Sequence, residues 1–358
     1  MARASGPSNY SGYNDVVKSI QRAKNAGMRV MLDFHYSDNW TDPGEQEIPH
    51  AWVHLASDTT ALATELYNYT YKILTDLDAL NLMPELVQVG NEINGNILST
   101  SANNLYPVDF SRQAILLNAG ISAVKAAGEL STIKPKTILH IASGNDSGLF
   151  QWNIGGLINN GFLLSKFDII GMSLYPGENN WKTYVDDTYN NMIDLKSRYN
   201  KEVMMVEIGF SYSRQDITYQ FITYMIEKTK QANGLGVFYW EPIARSPFTS
   251  YSKGAWDSDE SPSIAMDAFL NKSTLSVENI KKSSSIDFNV YPNPSISKII
   301  INALENQVKI IKLYNIKGSL LIEKKGKKSS LEIDISKLTT GIYFININNK
   351  VIKKIVKL

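Results

Sequence analysis

Six short apolar runs recur between residues 28 and 240, and a helix-period pattern separates each from the next. The runs lie at 28–34, 86–89, 137–142, 167–173, 203–206 and 235–240. They are apolar at nearly every position rather than at alternate ones, the pattern of strands buried on both faces. Helical spacing shows at 15–26 (Val16, Ile20, Ala23), 58–77 (Leu62, Leu66, Tyr69, Ile73, Leu77) and 110–127 (Ala114, Leu117, Ile121, Val124). It returns at 149–160, 181–199, 218–232 and, as a closing helix, 261–270. Asp58 is placed to cap the second helix and Gly27 to end the first. Strict alternation, one unit every 30 to 50 residues, argues parallel strands joined by crossover helices. Polar residues follow every strand and no glycine-rich phosphate loop does, so a (β/α) barrel is expected rather than an open nucleotide-binding sheet.

Two of the runs stop on a carboxylate. Leu86-Val87-Gln88-Val89 leads into Gly90-Asn91-Glu92, and Val203-Met204-Met205-Val206 into Glu207-Ile208-Gly209. A charged side chain on the lip of a buried strand is poorly placed for packing. It is well placed for chemistry, because α/β barrels carry their reacting groups at the C-terminal ends of their strands. Two such carboxyls are what glycoside hydrolysis requires, one to protonate the departing oxygen and one to attack the anomeric carbon. Taken singly, each glutamate reads equally well as a salt-bridged rim residue. The end of the first run, Asp33-Phe34-His35-Tyr36-Ser37-Asp38-Asn39-Trp40, is polar and aromatic, a candidate sugar platform.

With no cysteine among 358 residues, disulfides, thiol catalysis and thiolate metal sites are excluded. No apolar run reaches the roughly 18 residues of a membrane span. Residues 1–10 are rich in Ser, Gly and Pro, lack a signal-peptide pattern and are expected to be disordered. The net charge of +1 conceals two unlike pieces. Residues 272–358 hold 16 Lys, no Arg and 6 acidic residues, whereas 1–271 hold 20 basic and 29 acidic residues and all six Trp. The tail lysines are interleaved with β-branched residues, which argues solvated strand faces; no nucleic-acid partner is expected. The expected division is a disordered start at 1–10, a barrel at 11–271, a polar linker at 272–286 and a small β-sandwich at 287–358. The sandwich strands are expected at 298–301, 308–314, 319–323, 330–335, 341–347 and 350–357, with tight turns at Asn315 to Gly318 and at Asn348-Asn349.

Residues 12–270 resemble the family 53 glycoside hydrolases, the arabinogalactan endo-β-1,4-galactanases. The marks are the stretch from Asp33 to Gly44, Gly90-Asn91-Glu92-Ile93-Asn94-Gly95, Leu139-His140-Ile141-Ala142 and Tyr239-Trp240-Glu241-Pro242. The resemblance implies an α/β fold, the (β/α)₈ TIM barrel, in which the six runs are the third to eighth strands. It implies Glu92 as acid/base and Glu207 as nucleophile of a retaining double displacement. The family's first two strands, with an Arg near the cleaved sugar, have no counterpart here. A barrel lacking those strands, open along its third and eighth, with aggregation-prone edges, is therefore expected. Glu92 is expected to be held protonated by the Glu207 charge. Asn91 is the candidate partner of the sugar 2-hydroxyl, and Tyr175 a donor to Glu207. His35 is a partner of the sugar or of Glu92. Trp240 is the platform under the central sugar, and Trp40 and Trp181 are further platforms. Each has a plainer alternative: a turn Asn, a core Tyr, a strand-end His, packing Trps. His140 reads as structural. No cofactor and no metal are expected. Some family members carry calcium after strands seven and eight, but 211–216 lacks a spaced acidic set, and Asp257, Asp259 and Glu260 read as a solvated loop.

The tail, with Tyr291-Pro292-Asn293-Pro294, Gly341-Ile342-Tyr343-Phe344 and a Lys-rich last strand, resembles the C-terminal sorting domain of the type IX secretion system of Bacteroidetes. That implies a secreted or cell-surface protein and the outer-membrane secretion machinery as partner. A sugar-binding β-module is the alternative, disfavoured by the lack of Trp after residue 256. The expected function is a retaining endo-β-1,4-galactanase on galactan and arabinogalactan polysaccharide. The alternatives are a barrel glycosidase on mannan, xylan or glucan, and an inactive polysaccharide-binding fragment.

Overall fold

The computed structural model describes residues 12–101, 104–244, 251–270, 288–303, 308–316, 318–348 and 351–358. The expected disordered start, the polar linker and Asn349 of the last expected turn lie outside the described residues. The chain divides into two compact units, 1–271 and 272–358.

In the first unit six parallel strands pair strictly in chain order: β1 (Met31–Phe34), β2 (Leu86–Val89), β3 (Lys136–Ile141), β4 (Ile169–Leu174), β5 (Glu202–Ile208) and β6 (Val237–Tyr239). Helix α1 (Tyr13–Asn25) leads into β1. The crossovers are α2 (Thr59–Ala79), α3 (Phe110–Leu130), α4 (Ser147–Asn159), α5 (Trp181–Tyr199) and α6 (Gln215–Gln231). Among the described residues β1 and β6 each have a strand neighbour on one side only, so the sheet is open along those two edges, as the count of six runs predicts. Asp58 caps α2 by accepting from the Thr60 and Ala61 N–H groups, 3.0 Å each. Asp109 and Asp146 cap α3 and α4 through Arg112 and Leu149. Gly27 (φ +72) takes the left-handed turn that ends α1. The closing helix is shorter than its pattern: a bridge between Trp256 and Pro262 holds that stretch extended, leaving only a 3₁₀ turn at Ile264–Phe269.

Both faces of the sheet are covered. Val87, Val89, Leu139, Ile141, Ile170, Met172, Val203 and Met205 pack with Leu66, Leu117, Val124, Phe150, Val185 and Phe221 of the helices. Leu86, Ile138, Ile169, Met204 and Val206 form a second apolar layer on the other face, with Met31 against it. That double burial explains the unbroken apolar runs. By strand alternation the inner face continues toward the C-terminal ends with Asp33, Gln88, His140 and Ser173. The N-terminal ends are fastened by ion pairs instead, Lys24–Glu85 at 2.7 Å and Lys125–Asp168 at 2.5 Å.

One departure from regular pairing decides where Glu207 points. Met172 of β4 pairs with Met205, but Ser173 pairs with Glu207, so β5 carries one extra residue there. In a regular strand Glu207 would share a face with Met205 and meet the helices. The bulge turns it beside Ser173 on the inner face.

The second unit is an antiparallel sandwich. One sheet orders β10 (Leu320–Lys328), β9 (Val308–Asn315), β12 (Gly341–Ile347) and β13 (Val351–Lys357). The other orders β11 (Ser330–Asp334), β8 (Lys298–Ala303) and β7 (Phe288–Tyr291). Phe288, Ile301, Ile311, Leu313, Ile333, Ile345 and Ile355 fill the space between them. Phe288–Tyr291 is a strand in its own right, paired with β8, and not only a lead-in. The Asn315 turn closes with Gly318 N–H donating to the Asn315 carbonyl, 3.0 Å.

Candidate active site

After β2 the chain turns through Gly90 (φ +81) and places Glu92 at φ +44, a region that residues with a side chain rarely occupy. A buried network holds that turn. The Asn91 side chain donates to the Thr41 carbonyl, 2.7 Å. Its oxygen therefore faces Gln88 Nε2 (3.1 Å) and His140 Nδ1 (2.8 Å), and both donate to it. Gln46 donates to the Asn91 carbonyl, 2.8 Å. Burial first, and the nearby His35, push the His140 pKa down to about 3, so it stays neutral. His140 is structural, as its position suggests, but what it structures is the Gly-Asn-Glu turn. Asn91 keeps one amide hydrogen free of these bonds.

Glu92 is 7% exposed and takes a hydrogen bond from the Ser173 hydroxyl. Glu207 is 9% exposed and takes one from the Tyr175 hydroxyl at 2.5 Å. Ser173 is also the register neighbour of Glu207. A single residue of β4 thus touches one carboxyl and flanks the other, so the two glutamates, far apart in sequence, meet at one mouth. Burial pushes Glu92 up to about 6, against the Ser173 bond and helped by Asp42 and Asp33. Burial likewise pushes Glu207 up to about 7, against the Tyr175 bond and helped by Glu92 and Asp33. This corrects the expectation that the Glu207 charge protonates Glu92: desolvation leads for both, and Asp42 and Asp33 are the foremost charges on Glu92.

His35 Nε2 faces Asp33 at 3.2 Å, and its Nδ1 accepts from the Thr41 N–H at 3.0 Å. Burial lowers its pKa, but Asp33, then Glu207 and Glu92, outweigh burial and raise it. Trp240 follows β6, half-buried, and its backbone N–H donates to the Ile208 carbonyl of the Glu207 strand at 2.8 Å. Trp40 stands 55% exposed beyond β1. Trp181 is corrected as a platform: it opens α5, is 8% exposed and meets Phe221 and Tyr224 edge-on in the core. Its indole lies on the apolar stripe of an amphipathic helix, which settles it inward. The sequence assigns Ser173 no role of its own and Asp33 none beyond opening the candidate sugar platform; the mark of both is a polar side chain at the lip of a buried strand. Among the described residues no group of three or more Asp, Glu, His or Cys is placed to share a metal ion.

Residues 289–358 match the family model of the secretion system C-terminal sorting domain. Residues 3–280 match that of glycosyl hydrolase family 53. An arabinogalactan endo-β-1,4-galactanase of Cellvibrio japonicus is 36% identical over 275 residues, covering 69% of this chain and 71% of its own. One from Thermothelomyces thermophilus is 33% identical over 241 residues, covering 62% and 70%. A solved fungal β-1,4-galactanase superposes with a TM-score of 0.65 at 26% identity, over 76% of this chain and 85% of that one. The family 53 catalytic domain of Ignisphaera aggregans gives 0.59 at 26% identity, over 72% and 78%. With a parallel sheet whose strand ends bring two buried glutamates to one mouth, and with a family model spanning most of its length, the chain belongs to glycosyl hydrolase family 53.

Proposed function

We propose that this chain is a retaining endo-β-1,4-galactanase acting on galactan and arabinogalactan. The observation that carries the reading is the convergence of Glu92 and Glu207 on Ser173. The substrate class comes from the named relatives. Retention calls for carboxyl groups about 5–5.5 Å apart. With both pKa values raised toward neutrality, the pair holds one proton between its members near pH 6 to 7. Glu207 holds its proton to the higher pH, about 7 against about 6 for Glu92, although the Tyr175 hydroxyl favours its charge; the reaction runs from the state in which Glu207 has released its proton and Glu92 keeps one, the Ser173 hydroxyl rotating to accept from Glu92. Glu92 then protonates the departing glycosidic oxygen while a Glu207 oxygen bonds to the anomeric carbon and the C–O bond to the leaving sugar breaks. Glu92, now a carboxylate, takes a proton from water, and that water displaces Glu207 with a second inversion. Of the substrate-binding candidates, the free amide hydrogen of Asn91 suits the 2-hydroxyl and Trp240 and Trp40 offer indole faces to galactose C–H groups, while His35, with its Nε2 turned to Asp33, stands beside the carboxyl pair. The matched tail supports a secreted or cell-surface protein, and its proposed partner is the outer-membrane secretion machinery.

Assays of the full chain on galactan, arabinogalactan, mannan and xylan test this. Turnover is expected on the first two, with the β-anomer appearing first by proton NMR. Glu92→Gln is expected to slow hydrolysis by about 10²–10⁴-fold. Preference for mannan or xylan would move the substrate, and an undiminished Glu92→Gln would remove the proposed acid.

A further inference from the structure

The loop after β1 comes back across the Gly-Asn-Glu turn, and the Gln46 side chain makes the crossing. Gln46 is 3% exposed. Its Nε2 lies 2.8 Å from the Asn91 carbonyl, 3.2 Å from the Glu92 carbonyl and 3.0 Å from the Asp42 carbonyl of its own loop. Three carbonyl oxygens can only accept, so the nitrogen end of the carboxamide must face them. Its two hydrogens serve three acceptors, one of them shared. The Gln46 backbone is fixed separately. Its carbonyl accepts from the Ser99 N–H at 2.7 Å, and the Ser99 carbonyl accepts from the Ile48 N–H at 2.8 Å. The guanidinium of Arg112, in α3, donates to the Ile97 and Leu98 carbonyls at 2.7 and 2.8 Å. Gln46 therefore reaches the turn from a footing that is itself tied to a helix.

We propose that Gln46 is a positioning residue for the acid, holding the main chain on both sides of the Glu92 Cα so that the carboxyl stands at the glycosidic oxygen. The inference rests on the retaining-glycosidase reading. Glu92 sits at φ +44, a conformation that persists only where its surroundings over-determine it. The Asn91 and Glu92 carbonyls flank the atom from which the carboxylic side chain springs. Gripping both fixes the direction in which that side chain leaves the backbone. Ser173 meets it only at its far end. Without Gln46 two carbonyls in a buried turn lose this donor, and the turn relaxes to find others. The nucleophile is held by different partners, Tyr175 and the register with β4, so the displacement falls on the acid. A misplaced acid matters in proportion to how much the leaving group needs its proton. A sugar hydroxyl cannot depart from galactan as a bare alkoxide, whereas a dinitrophenolate leaves without protonation.

The test compares kcat/KM of the full chain on galactan and on a 2,4-dinitrophenyl β-galactobioside, for the wild type and for Gln46→Met, which keeps the shape and removes both donors. On galactan the variant is expected to lose about 10–10²-fold. That loss is expected to exceed the loss on the dinitrophenyl glycoside by about tenfold or more. Gln46→Glu decides the matter if Gln46→Met does not fold. It is expected to show the same selective loss, because a carboxyl carries at most one hydrogen for three carbonyls. Equal losses on the two substrates, or none, overturn the inference and leave the galactanase reading standing. A wild type inert on galactan defeats that reading instead. Deuterium exchange needs no turnover and decides wherever either substrate is not cleaved. The Ile93 N–H donates to the His140 carbonyl at 2.9 Å and the Asn94 N–H to the Glu92 carbonyl at 2.7 Å. In Gln46→Met both are expected to exchange about tenfold faster relative to the amides of α3, and unchanged rates overturn the inference.

Discussion

Glu207 is held where folding works against its own charge. Its pKa rises from an ordinary 4.5 to about 7, chiefly because burial strips water from the carboxylate. Raised in the folded chain, it binds its proton more tightly there than in the unfolded one. The stability this brings is full below pH 4.5 and is lost as pH climbs through 7. Glu207→Gln removes that loss, so the variant is expected to gain on the wild type by on the order of 1–3 kcal/mol between pH 5 and 8. Thermal melts of both proteins across that range check it, and parallel curves would show that the site is not desolvated. The strained φ of Glu92 belongs to the same bargain: the Asn91, Gln88 and His140 network over-determines a backbone that would otherwise relax.

Elements are where the sequence was most readable and where its limits show. Leu86–Val89 and Trp181–Tyr199 match their patterns residue for residue, because double burial and an amphipathic stripe leave local marks. The bulge of β5 leaves none. Alternation through Met204 and Val206 would aim Glu207 at the helices, and only pairing with β4 supplies the extra residue that turns it inward. The return of residues 251–255, where the Ser252 carbonyl accepts from the Tyr212 N–H at 2.8 Å, was equally invisible, since nothing in a loop's own composition says which strand end it folds back over. Gly254 is what lets that loop fold back. A Cβ there would meet the Ala244 carbonyl at 1.6 Å, a clash with backbone rather than with a movable side chain. Gly254→Ala is expected to destabilise the first unit by about 1–3 kcal/mol and to lower galactan hydrolysis together with it. Denaturant melts and initial rates measure both, and wild-type values in each would mean the loop is free to shift.

The whole chain joins two units of opposite charge character, each with its own core. A module with its own core folds and acts by itself. Deleting 272–358 is therefore expected to leave galactan hydrolysis within about two-fold of the full chain, while export from a host with a type IX system is lost. Rates on purified protein and the fraction of enzyme outside the cell separate the two effects, and a deletion that abolishes hydrolysis would contradict the division. The order of the six strands was legible because unbroken strand–helix alternation with polar strand ends and no phosphate loop reads as a barrel, where consecutive strands are neighbours; the meeting of Glu92 and Glu207 then follows from that order and one bulge. The most direct test is to capture the covalent intermediate. The full chain is incubated with an activated 2-deoxy-2-fluoro-galactoside, which slows breakdown of the glycosyl-enzyme, and its peptides are mapped by mass spectrometry. The sugar is predicted on Glu207, and a sugar on any other residue, or hydrolysis whose first product is the α-anomer, would contradict the account.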